Sequence, residues 1–353
     1  MKDRSKPNYK RTCSAAVILL LTAGLLLFAA RKVPGFAEWY SAHVYPIWQG
    51  TLGRLAGAAP FSVAEVLCFL LPVLLIIDIV RNRRRPLRVL VHLLFTVALL
   101  FFLYAANCGV NYYRDPFVPR DVYASAAFTD DQLYDFCAYA VDRLNDNSAA
   151  SGGGIAYPDH TELQKKSRAA MQRLGTEYEG LRGYYPRPKF FTGISGFFSS
   201  MGVTGIYSPF TIEANVNGQI PGYNKPFTAC HELSHLRGYM NEGEANYIGW
   251  LACITSGDPV FERSGWIYAW IYGGWELRKV DPYRFSILRA KLPNDVVREL
   301  IANDEFWAAH ETAASDVQNE VNDAYLKANG LEDGIASYDR VTTLMLLWYT
   351  NQR

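Results

Sequence analysis

The chain of 353 residues carries 35 Lys and Arg against 34 Asp and Glu, a net charge of +1; half of it is hydrophobic and 14% is aromatic. That composition excludes intrinsic disorder, collagen-like fibres and low-complexity scaffolds, and six scattered cysteines exclude a disulfide framework. Residues 1–110 hold 13 Lys/Arg and 4 Asp/Glu, a balance of +9, which leaves −8 for residues 111–353 and argues against nucleic acid as a partner of the larger part.

Three apolar stretches fill the first third: 13–30, 61–80 and 89–106. About 20 helical residues at 1.5 Å each cross a ~30 Å hydrocarbon layer, so each stretch qualifies as a span. Lys2, Arg4, Lys6, Lys10 and Arg11 precede the first; Arg81, Arg83, Arg84, Arg85 and Arg88 separate the second from the third. The intervening loop holds only Arg31, Lys32 and Arg54. This bias predicts a multi-pass protein of the cell membrane, in contact with the lipid bilayer, with a cytoplasmic N-terminus and residues 111–353 outside the cytoplasm. A cleaved signal peptide is the alternative for the first stretch, but Ala29-Ala30-Arg31-Lys32 is a poor cleavage site and the apolar run is long. Glu65, Asp78 and His92 lie near span ends, where they read as interfacial residues rather than an ion pathway.

Residues 1–110 therefore read as a transmembrane region and 111–353 as one extracytoplasmic domain, with Asn111 to Arg120 as linker. Thr129 predicts a helix N-cap, with Asp130 and Asp131 in the first turn. A loop follows from Asn147 to Pro158, then a helix from Thr161 to Leu174. Lys189 to Phe210 suggests short strands and turns. The alternation from Phe210 to Asn217 predicts a strand closed by Gly218. Further on, helices are expected over 294–302, 305–328 and 337–349, and the run Trp266, Tyr268, Trp270, Tyr272, Trp275 is assigned to the core. The domain is mainly α with a small β-sheet.

His231-Glu232-Leu233-Ser234-His235 is an HExxH motif. Positions i and i+4 share a helix face, so both imidazoles reach one ion, and Glu232 stands beside it to handle a water. Phe227 to Cys230 starts that helix and Gly238 stops it. The third ligand of a metzincin-like HExxHxxGxxH layout falls on Asn241, a weak zinc ligand, which counts against that class. A new helix beginning after Asn241 brings Glu242 or Glu244 instead, the two pointing about 200° apart. Asn246 shares the face of Glu242. This layout resembles the gluzincin metallopeptidases, in which the residue four after the ligand Glu hydrogen-bonds a ligand His. That resemblance favours Glu242 over Glu244 and implies that Asn246 orients an imidazole.

The three spans, GIYSPFTIEANVN and PFTACHELSHLRGYMNEGEANYIGWLAC together resemble, over essentially the whole chain, a bacterial membrane family called domain of unknown function 3810. By its motif that family is similar to zinc-dependent peptidases. The fold expected is a zincin-like (gluzincin) α+β metallopeptidase domain behind three transmembrane helices. One zinc is expected on His231, His235 and Glu242, with Glu232 as general base toward a zinc-activated water and a peptide or protein as substrate. Zinc peptidases lay substrate along a sheet edge, for which Ala214, Asn215 and Asn217 are candidates. Tyr338, His310 and Arg340 are options for an oxyanion donor, with none preferred. Two other functions stay open: a membrane sensor or assembly factor with a non-catalytic zinc, and a zinc-dependent hydrolase of an envelope amide. Cys230 and Cys253 read as two buried thiols, with a disulfide between them in an oxidising compartment as the alternative. Oligomeric state is not legible.

Overall fold

A computed structural model describes residues 9–312, 317, 318, 320, 321, 323, 324, 329 and 339–352. The chain divides into two compact units, one of residues 1–114 with 208–212 and one of 115–207 with 213–353. The division falls at 114/115 rather than 110/111. It is not contiguous in sequence either, because a five-residue strap returns to the first unit.

In the first unit, α1 (Tyr9–Lys32), α2 (Phe36–His43), α3 (Val63–Asn82) and α4 (Pro86–Tyr104) are the principal helices. Among the described residues, three helical segments are long and apolar enough to cross a membrane, Tyr9–Lys32, Val63–Asn82 and Pro86–Tyr113. The third outruns the expected 89–106 because a π turn, Ala105–Gly109, and a 3-10 turn, Val110–Tyr113, continue it. On α1 the alanines Ala16, Ala23 and Ala30 recur every seven residues and are buried, while Ile18, Leu21, Leu25 and Phe28 are exposed. Small residues on the packed face and large ones outside are what association in lipid requires, since apolar burial gives no driving force there. Ser62 caps α3 by accepting from the Glu65 amide. Asp78 and His92 pair at 2.9 Å, with Asn82 donating to the same carboxylate.

In the second unit a short helical turn, Arg120–Ala124, precedes α5 (Asp130–Ala150) and α6 (His160–Glu177). Thr129 caps α5 in a full capping box with Gln132, and Asp159 caps α6. Helix α5 continues to Ala150, so the loop expected from Asn147 starts only at Ser151, just ahead of Gly152 and Gly153 with positive φ. Three strands follow, β1 (Lys189–Phe191), β2 (Gly205–Ser208) and β3 (Glu213–Asn217), in the order β1-β3-β2. β1 runs parallel to β3 with Lys189 opposite Asn215. The strand expected from Phe210 starts at Glu213, because 209–212 make the turn from β2 and Ile212 takes a φ of 53°.

Helices α7 (Asn224–Leu236), α8 (Glu242–Ile254), α9 (Pro259–Val280), α10 (Pro282–Arg289), α11 (Asn294–His310) and α12 (Asp339–Asn351) complete the unit. The core is aromatic. Trp250 meets Trp348 and Trp266 edge to face, and Phe136 meets Tyr349. Of the aromatic run on α9, Trp266 and Trp270 are buried, whereas Trp275 is exposed. The helices expected over 294–302 and 305–328 are one continuous α11 up to His310. The expected remainder toward Ala328 lies largely outside the described residues, as do Ser337 and Tyr338.

Candidate metal centre

The centre is built on the end of α7. Gly238, at φ 89°, takes the left-handed conformation after the last turn. Its N–H donates to His235 O and that of Tyr239 to Ser234 O, a Schellman closure. The reversal turns the Tyr239 carbonyl back toward the helix, where it lies 2.8 Å from His235 Nδ1. A proton on Nδ1 donated to that carbonyl leaves Nε2 as the bare nitrogen, the tautomer a metal ligand needs. The two imidazoles lie 4.6 Å apart, edge to face.

Three residues after Tyr239 α8 begins. Asn241 caps it by accepting from the Glu244 amide, so this residue ends a loop and starts a helix instead of serving as a ligand. Glu242 opens the first turn. Seven residues on, two turns along the same face, Gly249 lets α8 lie directly on the motif helix: a Cβ there would stand 3.0 Å from His231 N and 3.2 Å from its Cα. Glu242 is thereby delivered to both histidines. Its Oε2 lies 3.4 Å from His231 Nε2 and its Oε1 3.5 Å from His235 Nε2, and the three ligand atoms all fall within 4.8 Å of one another. These separations are long for a charge-assisted hydrogen bond. Each runs to a different carboxylate oxygen, and the three groups converge closely enough to share one ion.

Glu232 is buried against the sheet. A Cβ on Gly205 of β2 would come within 2.6 Å of its Oε1, and its Oε2 is buried with no hydrogen-bond partner. Burial pushes this carboxyl up to about 7, against the pull of His231 and His235 and with Glu242 adding to the rise. Burial also opposes charge on His235, but Glu242 overrides it and lifts the imidazole to about 9. Burial would raise Glu242 too; the two imidazoles outweigh it and hold that carboxyl well below the usual range. The group so formed, two imidazoles and one carboxylate with a second, unpartnered carboxylate beside them, fits a divalent cation of the zinc type.

The other expected residues fall elsewhere. Glu244 points away from the histidines, and its Oε1 accepts from the Phe117 amide at 3.2 Å. The hydrogen bond expected from Asn246 to a ligand histidine is not made: Asn246 Nδ2 and His231 Nδ1 are each buried without a partner, and the imidazole that is oriented, His235, is held by a backbone carbonyl. Ala214, Asn215 and Asn217 are buried on β3, the central strand, with a neighbour on each side. They form no sheet edge; the strand bordering Glu232 from outside is β2. Arg340 lies over the Tyr123 ring and His310 Nδ1 is bonded to Phe306 O; neither belongs to the histidine–glutamate group. Tyr338 lies outside the described residues. Cys230 and Cys253 are free, buried thiols. Sequence reasoning missed Gly249 and Gly205. The seven-residue spacing from Glu242 was a usable signal for the first, whereas nothing local pointed to the second.

Spans and cluster together define a membrane-associated, mainly helical protein with a candidate metal-ligating group on two adjacent helices. The chain belongs to the family described as protein of unknown function (DUF3810), whose profile matches residues 40–346. No curated protein and no solved structure matches it.

Proposed function

We propose that this chain is a membrane-bound zinc metallopeptidase of the gluzincin kind. It would hold one zinc on His231, His235 and Glu242 and hydrolyse peptide bonds outside the cytoplasm. The observation that carries the reading is the convergence of His231, His235 and Glu242, one ligand atom of each lying within 4.8 Å of the others, on the two helices of the HExxH layout. Zinc, when bound, supplies Lewis acidity that brings the pKa of a coordinated water to about 7.

The chain's own residues then have distinct tasks. His235 keeps its ring plane through Tyr239 O. Glu242 supplies the one ligand charge, so two neutral nitrogens and a carboxylate leave the ion net positive and electrophilic. Glu232 sits in the same pocket of burial, and its free Oε2 is placed to accept a proton and to return it to the leaving amine. The outer strand β2, which touches Glu232 at Gly205, offers its edge to an extended peptide.

The test is Glu232→Gln in the purified full chain. Zinc content by metal analysis should stay stoichiometric, while hydrolysis of a quenched fluorescent casein falls by about 10²–10⁴-fold. His231→Ala should lose the metal. Hydrolysis that persists in Glu232→Gln, or a wild-type protein that takes up no zinc, would overturn the reading.

A further inference from the structure

The stretch between the first two spans is helical almost throughout. After α2 come Tyr45–Trp48, a π turn Gln49–Gly53 and Arg54–Ala58. Its inner side is joined to the ends of two spans. Ala37, Tyr40 and Tyr45 form one buried cluster with Ala30 of α1 and with Val110, in the 3-10 turn that continues α4. Ser41 Oγ donates to Asn111 Oδ1 at 2.7 Å in the same contact. Farther along, Trp48 meets Phe102 of α4 edge to face, ring centres 6.2 Å apart.

Polar contacts mark one level of this bundle. Arg31 Nε donates to the Tyr113 hydroxyl at 2.6 Å, and Arg114 pairs with Glu38 at 3.2 Å. Phe102 lies about three turns back along the helix from Arg114, inside the apolar stretch 89–106. With α4 spanning a bilayer, its partner Trp48 therefore stands at hydrocarbon depth.

Among the described residues the outer side of the stretch is uncovered: Trp39 is 52%, Ile47 62% and Leu55 76% exposed. Large apolar side chains left bare together mark a contact surface, and beside spanning helices the surface at hand is lipid. Charge is nearly missing as well. Glu38 and Arg54 are the only Asp, Glu, Lys or Arg from 36 to 58; the first is paired with Arg114, and an arginine stem can carry its head to the interface. The exposed polar groups of His43 and Thr51 are served by their own helix. His43 Nδ1 lies 2.9 Å from Trp39 O, and Thr51 Oγ1 donates to Ile47 O at 2.7 Å. The spans treat their hydroxyls alike, Thr22 donating to Ile18 O and Thr96 to His92 O. Where water is missing, such backbone carbonyls are the partners left to a side chain.

We propose that residues 36–58 are embedded in the bilayer instead of forming an aqueous loop. Ile47 and Leu55 lie against lipid acyl chains, and Trp39, next to the Glu38–Arg114 pair, sits at the headgroup boundary that tryptophan favours. No helix of the stretch exceeds eight residues, against about 20 for a crossing, so the three-span count is unchanged. The proposal rests on α1, α3 and α4 as spans and owes nothing to the metal centre.

Spin labels on the full chain in phospholipid vesicles test it, with the exposed thiols Cys13 and Cys68 first changed to Ser. Labels go on Ile47→Cys and Leu55→Cys, both uncovered positions where substitution leaves the packed side intact. Leu25→Cys on α1, 67% exposed, is the lipid reference, and Tyr283→Cys on α10, 75% exposed, is the water reference. Power saturation in electron paramagnetic resonance compares collisions with oxygen, which concentrates in hydrocarbon, and with a water-soluble nickel chelate. The oxygen-to-nickel ratio at both test sites should shift to the Leu25→Cys value, well above that of Tyr283→Cys. A ratio at either site equal to that of Tyr283→Cys overturns the proposal. So does shielding from both reagents, which would mean that protein, such as a second copy of the chain, covers this side. Nickel access at Leu25→Cys would remove α1 from the bilayer and sink the span reading, and this proposal with it.

Discussion

At Gly249 a methyl group would stand 3.0 Å from the backbone nitrogen of His231 and 3.4 Å from its Cβ. The obstacle is helix backbone, which moves only if α8 moves. Gly249→Ala should therefore lift α8 off α7, carry Glu242 away from the two Nε2 atoms, and cost about 1–3 kcal/mol as overpacking. Zinc affinity, read by competition with a chromophoric chelator, should drop by about 10–100-fold, the range found when support around a ligand is lost. Gly205→Ala makes a contrasting case. Its methyl would collide with Glu232 Oε1, Thr228 Cγ2 and the Asn215 carbonyl of β3, and with no ligand. Zinc affinity should hold while hydrolysis falls. If both variants lose zinc equally, the separation of a binding helix face from a base-positioning strand is wrong.

The motif helix owes its geometry to neighbours. At its N-terminal end Tyr223 offers no side-chain cap; Ser264 of α9 does the work, accepting from Phe227 N and donating to Tyr223 O. Next to it Arg263, fully buried, bridges three elements through Asp295 and Glu299 of α11 and Asn147 of α5. Arg263→Met would strand the buried Asp295 carboxylate and take the cation from the partly exposed Glu299, at a cost of about 3 kcal/mol. The pH dependence has a definite sign. Burial works to raise Asp295, but Ser148 and Arg263 outweigh it and hold that carboxyl below its ordinary value. Its stabilising contribution is thus complete above the unfolded value of about 4 and is lost as pH falls through the lower folded value. The gap in melting temperature between wild type and Arg263→Met should be wide at pH 7 and shrink on acidification below about pH 4. A gap that widens in acid would show that the network does not act as an ion cluster.

These same elements show where sequence reading stops. The spans, the capped helices at Thr129 and near His160, and the residues His231, His235 and Glu242 were legible because their signals are local: apolar run length, a cap beside acidic residues, ligands one turn apart. The central place of β3 and the cap lent by Ser264 were not. Each depends on a partner distant in sequence, Lys189 to Asn215 across the sheet or Ser264 to Phe227 across two helices, and composition near either residue carries no trace of the other.

For the whole molecule, the arrangement with respect to a bilayer follows from charge. Ten Lys and Arg flank the spans on one side and three on the other, and basic flanks are retained in the cytoplasm. On the proposed three-span topology residues 111–353 face outward, where the proposed hydrolase would meet extracytoplasmic peptides. Single cysteines placed at Arg84 and at Val280, the first in the basic turn between α3 and α4 and the second an exposed residue at the end of α9, make the orientation measurable. The exposed thiols Cys13 and Cys68 are first changed to Ser. In intact spheroplasts a membrane-impermeant maleimide should label Val280→Cys at once and Arg84→Cys only after permeabilisation. The opposite pattern would place the histidine–glutamate group in the cytoplasm, with cytoplasmic proteins as its only substrates. Equal labelling of both sites before permeabilisation would mean that an even number of segments crosses between them, so that α4 does not span.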